Sequence, residues 1–157
     1  MQRLRILVAA GKGPRFEDMV RPLTELGVGG IDPLRCARSV REPRLDRARR
    51  IAIEACKQCR RAWLPAVGAV VDFATLAKPE GGFILLDPTG DAVDPGPPQE
   101  TTLVIGPEGG FTADERAHLV SLGARPVRIA RPVLRIETAA IAAAAIWSHA
   151  WERHEQR

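Results

Sequence analysis

Residues 103–112 read Leu-Val-Ile-Gly-Pro-Glu-Gly-Gly-Phe-Thr, and much about the fold follows from this stretch. A short apolar run, typical of a strand buried on both faces, ends in a turn rich in glycine. Thr112 and Glu115 then have the spacing of a capping box, which marks the start of a helix. The stretch therefore predicts a buried strand, a loop whose bare backbone a ligand can approach, and a helix. It matches neither GxxxxGK[ST] nor GxGxxG, the common phosphate-binding patterns.

Strand and helix signals alternate along the rest of the chain. Apolar runs predict strands at 4–10, 28–34, 82–87, 101–105 and 126–129. Helical spacing predicts helices at 16–26 and 43–59, the capping box predicts one at 112–122, and an alanine-rich run predicts one at 137–154. Turns are predicted at 11–14 and 88–98. Pro22 predicts a kink or two shorter pieces, and Asp72 predicts a cap for a short helix at 73–77. The alternation is typical of an α/β protein with a mainly parallel sheet flanked by helices, in which ligands bind beyond the carboxyl ends of the strands.

The composition is that of a globular protein with one core. The chain has 157 residues, of which 45% are hydrophobic and 27% charged. Its longest apolar run, 139–147, is well short of the roughly 20 residues of a membrane span. Cys36, Cys56 and Cys59 indicate reduced thiols, and the Cys56–Cys59 spacing lacks the further ligands of a zinc site. We expect a cytoplasmic protein with neither a metal nor a membrane partner.

Positive charge is concentrated in residues 35–61, the arginine belt. This segment holds ten Arg and Lys residues against three acidic ones, whereas the whole chain has a net charge of +4. Arg presents a fixed fork of donors to phosphate, so the belt predicts contact with a nucleic acid backbone. A solvated helix face is the alternative interpretation. The candidates for RNA contact are Arg38 and, off the apolar face of the helix at 43–59, Arg47, Arg50 and Arg61.

Two further connections between elements have features of a site. In residues 129–139, Leu134 and Ile136 flank Arg135, and Glu137 and Thr138 fall where a helix start exposes N–H groups. An ordinary helix cap with a surface Arg is the alternative. In residues 85–90, we interpret the aspartate that ends the strand as a turn former.

These motifs together resemble the RsmE family. The run Ile-Gly-Pro-Glu-Gly-Gly-Phe at 105–111, followed about 20 residues later by Val-Leu-Arg-Ile-Glu-Thr-Ala at 133–139, is similar to two motifs of that family. Segments at 24–28, 38–40 and 51–59 agree with it in order. The family comprises SPOUT-class RNA methyltransferases that act on N3 of a uridine in the 16S RNA of the small ribosomal subunit. We expect residues 1–157 to form the SPOUT methyltransferase domain, without the N-terminal PUA-like domain usual in the family.

The resemblance implies a SPOUT (alpha/beta knot) fold with a deep C-terminal trefoil knot, and S-adenosylmethionine (SAM) as cofactor. It also implies a homodimer with active sites at the subunit interface, and we expect the helix at 137–154 to lie in that interface. The residues that the resemblance assigns to the cofactor are Leu85, Leu86, Ile105, Gly106, Pro107, Glu108, Gly109, Gly110, Ile129, Ala130, Val133, Leu134, Arg135, Glu137, Thr138 and Ala139. We expect a Gly109→Val side chain to fill the space of the cofactor.

The implied reaction takes a proton from uracil N3 and places a methyl group on that nitrogen. Arg135 and Arg38 are candidates for stabilising the uracilate oxygens, and Glu25 and Glu137 for the general base. Two other functions stay open. The chain can be a SPOUT methyltransferase of another RNA nucleotide, or a cofactor- or RNA-binding module without activity, since Ala130 replaces a glycine usual in the family.

Overall fold

Parallel strands form one sheet in the computed structural model, which describes residues 3–9, 15–39 and 42–156. The strands are β1 (Leu4–Ala9), β2 (Gly30–Arg35), β3 (Ala66–Val67), β4 (Val71–Asp72), β5 (Gly82–Ala92), β6 (Thr101–Ile105) and β7 (Arg125–Arg128). The helices are α1 (Arg15–Glu25), α2 (Leu45–Cys59), α3 (Ala113–Ser121) and α4 (Ile136–Glu155), with a 3-10 turn at Phe73–Thr75. The turn predicted at 11–14 lies outside the described residues.

The strand order places late strands beside early ones. The order is β3-β2-β1-β6-β5-β7, and β4 pairs with the carboxyl end of β2. β1 and β6 are central, and Leu4 pairs with Thr101. All pairings between the described strands are parallel, so the prediction of a mainly parallel α/β sheet is confirmed.

Helices cover the two faces of the sheet unequally. On one face, α1, α2 and α4 share a large hydrophobic cluster in which the ring of Trp147 is buried. On the other face, α3 packs through Leu119 onto a smaller cluster that includes Phe83. The fully buried Ala140 and Ala144 let α4 lie close to its neighbours. No helix in the described ranges, α4 included, is apolar over a length that would cross a membrane.

The first helix continues through Pro22. Met19 and Leu23, before and after the proline, are both buried in the core, so packing holds the helix together despite one lost backbone hydrogen bond. The expectation of two shorter pieces is therefore wrong. Gly27 follows the helix with φ +86°, as expected of a glycine at a helix end.

Strand β5 runs further than the sequence predicts. The loop expected at 88–98 begins only after Ala92, so that prediction is wrong for its first five residues. The reason lies in β7, which pairs with Ile84–Leu86 and again with Asp91 and Ala92. Pro88 falls between these two paired stretches, where its missing N–H breaks no ladder bond.

The register shift between Leu86 and Asp91 makes a bulge at the carboxyl edge of the sheet. Gly90 is essential to it, because a Cβ atom there would lie 2.5 Å from the carbonyl carbon of Pro126 and 2.5 Å from the nitrogen of Val127. Only glycine allows β5 and β7 to approach this closely. The bulge carries residues 87–89 to the edge where strand-end loops meet.

The short elements differ most from expectation. β3 and β4 have two residues each, too few for a periodic signal, and the sequence does not predict them. Asp72 caps the turn at Phe73–Thr75 by accepting a hydrogen bond from the Ala74 N–H at 3.0 Å. The cap is as predicted, but the helical segment is shorter than 73–77.

Candidate functional site

A cavity of about 350 Å³ opens beyond the carboxyl ends of β5, β6 and β7. Its walls are the β5 bulge (87–89), the connection from β6 to α3 (106–112, the glycine loop), and the connection from β7 to α4 (129–135, the second loop). This volume falls in the range of small-molecule sites. The position agrees with the rule for ligands of parallel sheets.

Most residues assigned to the cofactor line this cavity. They are Leu85, Leu86, Ile105, Gly106, Pro107, Glu108, Gly110, Ile129, Ala130, Val133, Leu134 and Ala139. Gly109, Arg135, Glu137 and Thr138 do not line it. Sequence reasoning missed Asp87, Pro88, Thr89, Phe111, Arg116, Val127, Arg128, Pro132 and Ile136. Phe111 and Ile136 could have been predicted, because they belong to the two motifs at 105–111 and 133–139. Arg116 lies outside both motifs.

The glycine loop presents its backbone to the cavity. Gly110 has φ +69°, and its N–H donates to the Pro107 carbonyl at 2.8 Å, which closes a tight turn. A Cβ atom on Gly106 would lie 3.0 Å from the ring of Phe111. Gly110 therefore favours glycine because of its backbone conformation, and Gly106 favours it because the Phe111 ring packs directly on its Cα atom.

Arg38 is tied to the glycine loop. Its Nη1 donates to the carbonyls of Gly109 and, at 3.3 Å, Gly110. A Cβ atom on Gly109 would lie 3.3 Å from Cδ of Arg38, so this position faces Arg38. The expectation that Gly109→Val fills the cofactor space stays a prediction, and the added atoms would also press against Arg38.

Glu115 makes a second tie between the same two segments. Its Oε1 accepts from the Ala37 N–H at 2.7 Å, and its Oε2 accepts from the Thr112 N–H at 2.9 Å. The second bond completes the capping box of α3, which is confirmed. Glu115 is buried. The carboxylate thus fixes the segment that carries Arg38 against the start of α3.

An ion pair joins the β5 bulge to α3. The Arg116 Nε donates to the Asp87 Oδ2 at 2.7 Å. The Asp87 Oδ1 accepts from the Thr89 N–H at 2.8 Å and from its hydroxyl at 2.7 Å. Burial acts to raise the pKa of Asp87, but the Thr89 hydrogen bonds and the Arg116 guanidinium outweigh it, and the pKa is lowered. Asp87 is a turn former, as predicted, and in addition anchors a cation in the cavity wall.

The arginine belt is exposed only in part. Arg47 and Arg50 lie on the outer face of α2, opposite the buried Ala48, Ala52 and Ala55. Both guanidinium groups can therefore meet a phosphate backbone from solvent.

Arg61 has a different environment. α2 ends at Cys59, and the half-buried Arg61 guanidinium donates to the carbonyls of Thr24, Gly27 and Val28 at 2.9, 3.0 and 2.7 Å. These carbonyls lie at and just beyond the end of α1, so Arg61 caps that helix. Its predicted place on the outer face of a helix is wrong, because α2 ends before it and these carbonyls hold its Nη1 and Nη2.

The two candidates for the general base lie far apart in the fold. Glu25 ends α1, and shortly after it the Gly29 N–H donates to the Leu4 carbonyl at 2.8 Å, at the amino edge of the sheet. Glu25 therefore lies at the opposite edge of the sheet from the cavity of its own chain, and its role as a general base stays a prediction. Glu137 lies in the first turn of α4, and its Oε2 is buried without a hydrogen-bond partner among the described residues. Arg135 precedes it and is exposed.

All three cysteines lie in the part of the chain that the structure describes. Cys36, Cys56 and Cys59 are free thiols, and burial raises the pKa of Cys56. Within residues 3–9, 15–39 and 42–156, no three His, Cys, Asp or Glu side chains are placed to hold a metal ion.

A parallel sheet with a small-molecule cavity at its strand ends is the plan of many cofactor-binding α/β enzymes. The family model described as an RNA methyltransferase domain matches residues 1–148. The chain belongs to this family, and its resemblance to RsmE is confirmed by its relatives.

Three of these relatives define the comparison. Ribosomal RNA small subunit methyltransferase E of Synechocystis sp. is 34% identical over 148 residues, which cover 85% of this chain and 49% of that protein. A methyltransferase of Legionella pneumophila, solved with SAM, has a TM-score of 0.84 and 31% identity over 95% of this chain and 66% of that chain. A ribosomal RNA small subunit methyltransferase E of Neisseria gonorrhoeae, solved with S-adenosyl methionine, has a TM-score of 0.88 and 26% identity over 95% of this chain and 66% of that chain. The chain therefore spans about half the length of the Synechocystis relative.

Proposed function

We propose that this chain is a SAM-dependent methyltransferase of N3 of a uridine in the 16S RNA of the small ribosomal subunit, acting in the cytoplasm. The observation that carries the proposal is a cavity lined by both the glycine loop and the second loop, in a fold whose relatives are solved with SAM. The assignment of residues 1–157 to one SPOUT domain, with its C-terminal trefoil knot, belongs to the same proposal.

The cavity suits this cofactor in size and chemistry. Apolar side chains such as Leu85, Ile105 and Leu134 offer walls for an adenine ring. The turn at Gly110 brings bare backbone to the cavity wall, where N–H and carbonyl groups can bind the polar edges of a nucleoside. SAM carries no phosphate, in agreement with a loop that lacks the phosphate-binding patterns.

The proposed mechanism assigns roles to residues around the cavity. When bound, SAM supplies an electrophilic methyl group, so the protein has to align the uracil and remove one proton. Arg38, tied to Gly109 and Gly110, and Arg135, at the start of α4, supply the cations that stabilise the uracil oxygens as N3 loses its proton. Glu137 is the proposed base, because its Oε2 has no hydrogen-bond partner among the described residues.

We also propose that two copies of the chain share their active sites. Val133, in the second loop, is 78% exposed in the single chain, an unusual position for an apolar side chain that lines a cavity. Ile141, Ala142 and Ala145 are only half-buried on α4, so this helix offers small apolar residues to a partner. We expect a dimer in sedimentation velocity at micromolar concentration. A monomer under those conditions would contradict the shared site.

Two measurements test the function. Calorimetric titration should show binding of SAM and S-adenosylhomocysteine by the isolated chain. Small subunits from a strain lacking the modification, incubated with the protein and SAM, should then gain N3-methyluridine, detected by mass spectrometry of nuclease digests. Methylation of another nucleotide would replace the substrate in this proposal. Binding without transfer to any RNA would reduce the chain to a cofactor-binding module.

A further inference from the structure

The ion pair between Asp87 and Arg116 lies in the cavity wall, and none of the roles proposed above uses it. Both residues line the cavity. The Asp87 side chain is 11% exposed and that of Arg116 is 45% exposed, so the pair extends from the buried part of the cavity wall towards solvent.

The geometry fixes the position of the cation. The Asp87 Oδ1 accepts hydrogen bonds from the Thr89 N–H and hydroxyl, and the Asp87 Oδ2 accepts one from the Arg116 Nε. Thr89 thus holds the carboxylate within the bulge, and the carboxylate in turn holds the guanidinium. The contact with Asp87 uses only one of the five N–H donors of an arginine side chain. A cation held in this way has already lost much of its rotamer freedom before a ligand arrives.

The charge of the lining restricts what the cation can bind. Arg116 and Arg128 are the two cations among the described residues that line the cavity. The lining also holds two carboxylates, Glu108 and the Asp87 that pairs with Arg116, and its other walls are mostly apolar side chains and glycine. Among the described residues, no side chain fixes Arg128 as Asp87 fixes Arg116. An anionic group of a ligand that enters the cavity is therefore expected to meet Arg116, since a buried carboxylate needs charge-assisted hydrogen bonds.

We propose that Arg116, positioned by Asp87, binds the α-carboxylate of the amino-acid part of the cofactor. The inference rests on the proposed function, because it takes SAM and S-adenosylhomocysteine as the ligands of the cavity. Arg116 then distinguishes these ligands from adenosine thioethers that lack a carboxylate.

The test compares two probes without RNA. S-Adenosylhomocysteine carries the carboxylate, and S-adenosyl-3-thiopropylamine keeps the adenosine, sulfur and amine but lacks it. Arg116→Met should weaken binding of the first by about 10- to 100-fold, the usual range for a hydrogen bond to a charged group. It should change binding of the second by less than about threefold. Arg116→Lys, which keeps the charge but not the fork, should recover part of the preference.

Three comparisons make the result interpretable. Arg128→Met should leave the preference between the probes intact, and so should Arg153→Met, a charge control at the exposed end of α4. Thermal unfolding of each variant reports whether the fold is retained. Equal loss of both probes by Arg116→Met would show that the ion pair only supports the wall, and loss of preference in Arg128→Met instead would place the carboxylate elsewhere. Either result overturns the inference and leaves the proposed function standing, whereas failure of the unsubstituted protein to bind S-adenosylhomocysteine refutes the proposed function itself.

Discussion

Arg61 shows how one side chain can connect two helices that are distant in sequence. Its guanidinium satisfies carbonyls at and beyond the end of α1 while its backbone follows α2. Arg61→Gln should lower the free energy of unfolding by about 2 kcal/mol, because several charge-assisted hydrogen bonds are lost at a helix end. Urea denaturation measures this change. The matched control is Arg47→Gln, an exposed residue of α2 that should cost no more than about 0.5 kcal/mol. Equal midpoints for the two variants would contradict the cap.

Asp87 gives the stability a defined pH dependence. Its pKa in the folded state lies below the ordinary value of 3.8, so its ionised form stabilises the fold above that pH. This contribution is lost as pH falls through the lowered pKa. Asp87→Asn should therefore lower the melting temperature at neutral pH, and the gap to the unsubstituted protein should shrink as pH falls below about 4. A gap that stays constant between about pH 3 and pH 7 would show that the charge of Asp87 is not responsible.

Single residues of the site could be predicted from sequence where local chemistry restricts them. Gly106 and Gly110 belong to a turn whose residue types indicate open backbone, and both line the cavity. Arg116 could not be predicted, because its role depends on Asp87 in another element, 29 residues away. The tie from Glu115 to Ala37 spans 78 residues and has no sequence signal either. Local sequence patterns therefore predict caps and turns. Contacts between residues that are distant in sequence, and that the sheet brings together, can be seen only in the structure.

The bulge in β5 requires a glycine at position 90. Gly90→Ala would place a methyl group 2.5 Å from the backbone of Pro126 and Val127, so β5 and β7 would have to separate. We expect a loss of several kcal/mol of stability, typical of severe overpacking, and loss of the cavity. Thermal unfolding and calorimetric titration with SAM measure the two effects.

Gly109→Ala is the matched control for Gly90→Ala. Among the described residues, its new Cβ atom would meet only the side chain of Arg38, at 3.3 Å from Cδ, and that side chain can move. The melting temperature should stay close to that of the unsubstituted protein, with SAM affinity retained. Comparable destabilisation by both substitutions would mean that the close approach at Gly90 is not special.

Elements with a strong period were easier to predict than those that depend on a partner strand. α2 and α4 agree with the predicted helices to within two residues, α2 because its apolar positions repeat at helical spacing and α4 because its sequence is rich in alanine. The extension of β5 to Ala92 was not predictable, since Pro88 and Gly90 read locally as a loop and only β7 supplies the pairing. β3 and β4 likewise exist only because β2 offers them partners.

The exposed arginines of the belt, Arg47 and Arg50, predict how the affinity for RNA depends on salt. Arg47→Gln combined with Arg50→Gln should reduce the slope of log affinity against log salt by about 1.4 to 1.8, since each lost phosphate contact removes about 0.7 to 0.9. Filter binding to 16S RNA fragments at several salt concentrations measures this slope. SAM affinity should not change, because neither residue lines the cavity. An unchanged slope would leave the belt as a solvated helix face and assign RNA capture to other surfaces.

The pairing of Leu4 with Thr101 at the centre of the sheet has a consequence for synthesis of the chain. One side of β1 finds its partner β2 within a few tens of residues, but its other side waits for β6, about a hundred residues later. At ordinary rates of translation, about 5 to 20 residues per second, that interval lasts roughly 5 to 20 s. Throughout it, the nascent polypeptide carries an apolar strand with an open edge, the kind of surface that invites self-association. Because closure of such a long loop is slow, the chain is most exposed to aggregation before β6 has been made.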